Sequence, residues 1–218
     1  MENELQELSH DPLKTSYLGQ VFNGTTNSYK FFWFLGLLNL TQYKTSFSLE
    51  ESCFEMVYLA WHPVCFFRLS LGKQDNLQNA ILEIKQDSKL DAKADKYEIG
   101  YFLKCSQEAQ FKLSDFSRYV PYRFLTPWFQ KDLRSINDNK KNKMIESFAT
   151  NSQKTSKASP YYFKINNGKK FIVLNESWRT FFLDNRAIIQ SFAEYKLTHY
   201  LQSRNPNMPV TAFFASLR

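Results

Sequence analysis

The segment TNSYKFFWFLGLLNL, residues 26–40, constrains this chain more than any other. Read as a helix over Asn27–Leu40, it is apolar on every side, so it must be buried on every side. The rest of the chain then has to wrap it. Gly36 lacks a Cβ and permits a neighbouring helix to cross closely. Asn27 or Ser28 supplies the N-cap. The apolar run is far shorter than the roughly 20 residues a membrane span needs. With 43% apolar residues, 21 Phe and 12 Tyr, the chain is no disordered polymer. Six Gly and seven Pro are few for 218 residues, which favours helices over a turn-dense β fold. The expected fold is mainly α, a multi-helix domain with one small β-hairpin near residues 161–174.

Local signals place the other elements. Ser48 and Glu51 have capping-box spacing ahead of a helix running to Trp61, which Pro63 is expected to end. Helices are also expected at 76–85 and 92–105. The segment RYVPYRFLTPWF, with two prolines, reads as an irregular connector. Residues 130–159 read as polar, with one helix and a mobile loop. The hairpin turns at Asn166-Asn167-Gly168, because Asn and Gly tolerate positive φ. A long helix over 176–204 is interrupted in its apolar spacing near Asp184-Asn185, and Pro206 and Pro209 stop it. Trp33, Phe34, Leu37, Met56, Val57, Phe181, Ile188, Ile189 and Phe192 are the expected core. Residues 1–24 read as a polar N-terminal segment without the basic and apolar regions of a signal peptide.

Charge divides the chain. Residues 1–117 hold 11 Lys/Arg against 15 Asp/Glu, whereas residues 118–218 hold 17 against 6. We read 25–117 as an acidic helical part and 118–218 as a basic part carrying the hairpin and the long C-terminal helix, packed as one unit. A polyanion is attracted to the second part, which makes DNA or RNA the leading partner. Arg179, Arg186 and Arg204 fall on one helical face if the last helix is continuous, since 7 and 18 residues at about 100° each return to nearly the same angle. Lys196 lies roughly 80° away on the same arithmetic. Lys169 and Lys170 stand at the hairpin. These six are the candidate phosphate contacts; a solvated face is the competing reading.

Catalytic patterns are missing from the sequence. His10, His62 and His199 stand in unrelated contexts, and Cys53, Cys65 and Cys105 form no Cys-x-x-Cys pair. Each cysteine sits among apolar residues and reads as a reduced, buried thiol of a cytoplasmic protein. There is no phosphate-binding Gly-x-x-x-x-Gly-Lys loop and no Gly-x-Ser-x-Gly elbow. No catalytic residue, metal or cofactor is expected, and no membrane.

Four stretches taken in order carry a resemblance: TTNSYKFFWFLGLLNL, EMVYLAWHPVCFFRLSLGKQDNL, YVPYRFLTPWF and TFFLDNRAIIQSFAEYKLTHYLQSRNPNMP. Together they resemble the region preceding the nuclease in bacterial HNH endonuclease domain-containing proteins, over most of residues 25–209. In that family an HNH module follows the segment matching Arg204-Asn205-Pro206-Asn207. No set of HNH histidines is present here to receive its roles. The expectation is therefore a truncation, a split gene product or a relative without the nuclease. The resemblance implies a nucleic-acid-binding or targeting subunit of an anti-phage defence system, with a nuclease or sensor protein as a further partner. A protein–protein adaptor within a defence complex is the alternative.

Overall fold

A computed structural model describes residues 11–211. The apolar helix is its axis. That helix, α2 (Tyr29–Thr41), follows α1 (Pro12–Val21) and buries Phe31–Leu38 without a break. It packs chiefly on α3 (Leu49–Trp61), and then on α9 (Arg186–Arg204), α6 (Gln107–Phe124) and α8 (Glu176–Asp184). At the α2–α3 crossing, a Cβ on Gly36 would lie 2.9 Å from Cβ of Glu55, so the close approach requires glycine. The expected core residues are buried, except Ile188, which is half-buried.

The Ser48–Glu51 capping box forms at α3 in both directions. Pro63 does not stop the winding there. The chain continues as one π-helical turn, His62–Phe66. Helices α4 (Asn76–Ser88) and α5 (Lys96–Cys105) follow. Asp75 caps α4 by accepting from Leu77 N–H and also accepts the Ser28 N–H at the start of α2. Ser28 itself makes no side-chain cap.

The connector expected at 118–129 is instead the end of α6 and a 3-10 turn, Thr126–Phe129. Pro121 lies inside α6 and removes one helical N–H. Burial of Val120, Tyr122 and Phe124 around it supports the helix across the gap. The line between residues 117 and 118 thus runs through a helix.

Helix α7 (Asp138–Asn151) leads to the hairpin β2 (Tyr161–Asn166) and β3 (Lys169–Leu174). Its turn residues Asn167 and Gly168 have φ of 48° and 72°. A third strand, β1 (Ser46–Ser48), pairs antiparallel with β3, from Ser46 opposite Val173 to Ser48 opposite Phe171. The fold is mainly helical with a small antiparallel sheet of order β1-β3-β2. Within the polar N-terminal segment, residues 12–21 form helix α1: Asp11 caps it, and Leu18 and Val21 are buried. None of the described helices is long and apolar enough to cross a membrane.

Candidate nucleic-acid interface

The last helix breaks at Asn185, so Arg179 lies on α8 whereas Arg186 and Arg204 lie on α9. The condition for one three-arginine face is not met. Arg186 is occupied structurally. Its Nη1 donates to the Leu38 carbonyl and its Nη2 to Asn39 Oδ1 at 3.1 Å, where a cation favours the end of α2. Burial pulls its pKa below the usual arginine range. Arg179 is half-buried, and its Nε has no hydrogen-bond partner among the described residues. Arg204 is exposed, lies over the Tyr200 ring and donates to the Thr26 carbonyl at 3.4 Å.

The hairpin lysines face carboxylates of other elements. Lys169 pairs with Glu50 at 3.1 Å, both exposed. Lys170 donates to Glu146 and to the Tyr122 hydroxyl, each at 2.8 Å. Burial alone would lower its pKa, but these two partners outweigh it and raise it. Lys196 lies against the Phe192 ring. The six candidates are therefore dispersed rather than gathered.

A different set is gathered, at the C-terminal end of α6. Asn142 of α7 donates to the Arg118 carbonyl at 2.9 Å, which holds α7 across α6. Asp138 of α7 pairs with Lys141 at 2.7 Å and stands 3.7 Å from Arg123. Those cations hold its carboxyl below the usual range, the Lys141 hydrogen bond most of all. Arg123 also faces Lys30 of α2. Burial, and then this neighbouring charge, lower the Lys30 pKa. Lys30 donates to the Val21 carbonyl at 3.1 Å. Two cations, Arg123 and Lys141, thus hold one carboxylate, and a third, Lys30, stands near Arg123, with Tyr119 about half exposed one turn before Arg123.

Reading the charge by halves does not find this group, because Lys30 belongs to the acidic part and Arg123 to the expected connector. One signal was available. If the helix continues through Pro121, Tyr119 and Arg123 are four apart and share a face.

The opposite end of α6 has the opposite sign. Lys112 is surrounded by Asp87 at 2.9 Å, Glu83 at 3.2 Å and Glu108 at 3.4 Å. The Asp87 hydrogen bond leads in holding its ammonium above the usual range.

Among the described residues, no three His, Cys, Asp or Glu side chains gather as metal ligands do. His62 is tilted against the Phe66 ring and His199 packs edge-on to Tyr195, while His10 lies outside the described residues. Cys53 and Cys65 are buried, and burial pushes them up to about 12 and about 11. Cys105 departs from expectation. It is exposed, because Leu103 takes the inward face of α5. Comparisons with family models, curated proteins and solved structures found no match.

Proposed function

We propose that this chain is a non-catalytic nucleic-acid-binding or targeting module, serving a bacterial HNH-nuclease-type anti-phage system. One observation carries the binding part: three cations from three helices, Lys30, Arg123 and Lys141, gather at one end of α6, where a single carboxylate, Asp138, pairs with two of them. Such a group neutralises phosphates and releases their counterions. An exposed tyrosine among the cations provides a surface on which a base can stack. The defence setting comes from the resemblance of residues 25–209 alone.

Labelled duplex DNA, single-stranded DNA and RNA titrated at low salt test the reading by anisotropy. Binding should fall steeply as salt rises. Absence of binding to all three overturns it. With Mg²⁺, Mn²⁺ or Zn²⁺, the chain should leave plasmid DNA intact; cutting abolished by mutating its carboxylates would contradict a non-catalytic role.

The adaptor reading rests on another observation. Tyr97 and Tyr101, one turn apart on α5, are 78% and 64% exposed, and Phe111 on α6 is 79% exposed. Exposed aromatics of this size suit a protein interface. Replacing all three with Ser should abolish a partner complex and leave nucleic-acid binding intact.

A further inference from the structure

Beside the cationic group lies a pocket of about 340 Å³ between the start of α2 and the end of α6. Its walls include Thr26, Asn27, Lys30, Tyr119 and Arg123. This volume falls at the small end of the range for ligand pockets.

The pocket brings two cations together without bringing in a carboxylate. Asp138 approaches Arg123 from the α7 side, and its side chain is 75% exposed. It is not among the lining residues. Lys30 has a neutral partner, the Val21 carbonyl. Like charges at a partly buried place repel, and an anion between them relieves both. Arginine offers two parallel N–H groups that match phosphate oxygens, and lysine adds a point charge.

The loop that completes the wall is held from several sides. Thr25 Oγ1 donates to the Phe22 carbonyl at 2.7 Å. The Thr26 carbonyl accepts from Arg204 at 3.4 Å and lies 3.2 Å from the Tyr200 hydroxyl, which donates to the Leu71 carbonyl at 2.6 Å. The Tyr29 hydroxyl accepts from Asn76 N–H at 2.8 Å. These bonds fix the opening ahead of any ligand, so little ordering cost remains on binding. Tyr119 stands on the opposite wall, 49% exposed, one turn before Arg123.

We infer that this pocket binds a phosphomonoester, with the phosphate between Lys30 and Arg123 and a planar group against Tyr119. The inference rests on reading this end of α6 as anion-binding, and it adds a discrete end-group seat to that surface. Two sources share this chemistry: the phosphorylated end of a nucleic-acid strand and a free nucleotide.

Calorimetry with adenosine 5′-monophosphate, inorganic phosphate and adenosine tests the seat. Short single strands with a 5′-phosphate or a 5′-hydroxyl then distinguish the sources. The monophosphate should bind about tenfold or more tightly than adenosine, the value of a charge-assisted contact. Lys30→Met, which keeps the apolar stem, and Arg123→Gln should each remove about that factor. Lys157→Ala, at an exposed lysine elsewhere, should not. If circular dichroism shows Lys30→Met unfolded, Arg123→Gln and Tyr119→Ala carry the test from more open positions. A 5′-phosphate preference that disappears in Arg123→Gln assigns a strand end. Monophosphate binding without strand binding assigns a free nucleotide, and then the nucleic-acid reading fails while the pocket stands. If both strands bind equally and salt-sensitively while the monophosphate does not bind, the pocket inference is overturned and the nucleic-acid reading survives.

Discussion

The two ends of α6 are built alike with the signs exchanged. Near its start, one lysine, Lys112, sits among three carboxylates from α4 and α6. Near its end, one aspartate, Asp138, sits between cations of α6 and α7, with Lys30 of α2 near the first of them. From Lys112 to Arg123 the helix rises about 16 Å, so the clusters are about two Debye lengths apart at physiological salt. The helix dipole favours the same arrangement, with Glu108 in its first turn and Arg123 in its last. The charge division along the chain is thus folded into a polarity across one helix. On the proposed reading, a polyanion is drawn to one end and repelled by the other, which would orient it as well as hold it.

The comparison breaks most completely if the helix that separates the clusters loses its seat. Phe124 is fully buried, with its ring 5.5 Å from Phe34 and 6.0 Å from Trp128. Phe124→Ala should cost about 3–5 kcal/mol, read as a large fall in the urea midpoint. A smaller loss is expected at Tyr161, whose hydroxyl donates to the Pro121 carbonyl at 2.6 Å and accepts from Trp33 Nε1–H at 3.2 Å. Tyr161→Phe leaves both groups buried and unpaired, for roughly 1–3 kcal/mol, measured in the same titration.

The finest effect is electrostatic. An NMR titration should find the Asp138 carboxyl titrating below 3.8, and Lys141→Ala should move it back up. A lowered carboxylate stabilises the fold above its unfolded value and loses that contribution as pH falls through the folded value. For a pair this exposed the contribution is small and screened by salt. Lys112 should titrate above an ordinary lysine at the other end. An Asp138 that titrates as an ordinary aspartate would mean that its cations do not hold it.

What could be read from the sequence follows local rules. The unbroken apolar run of α2, the Ser48–Glu51 box, the Asn167-Gly168 turn and the break by Asn185 each depend on neighbours a few residues apart. The missed features depend on distant ones. Strand β1 is three residues long and exists because Ser46–Ser48 meet β3 far along the chain. Helix α6 passes Pro121 because aromatic packing outweighs the missing hydrogen bond. The proposed site shows the same division. Sequence placed the excess cations in the second part, but Arg186, Lys169 and Lys170 turned out to be engaged by α2, α3 and α7. Lys30, from the acidic part, meets Arg123 only through the packing of α2 on α6.

Duplex-DNA affinity against salt, measured side by side in two variants, tests the central claim most directly. Arg123→Ala/Lys141→Ala removes the basic end, and Glu83→Gln/Asp87→Asn/Glu108→Gln neutralises the acidic one. The slope of log K against log salt should flatten by roughly 1–2 in the first variant, at about 0.9 for each phosphate no longer neutralised. In the second variant the slope should hold while low-salt affinity rises. Equal slopes in wild type and the basic-end variant, or a flattening confined to the acidic-end variant, would contradict the account.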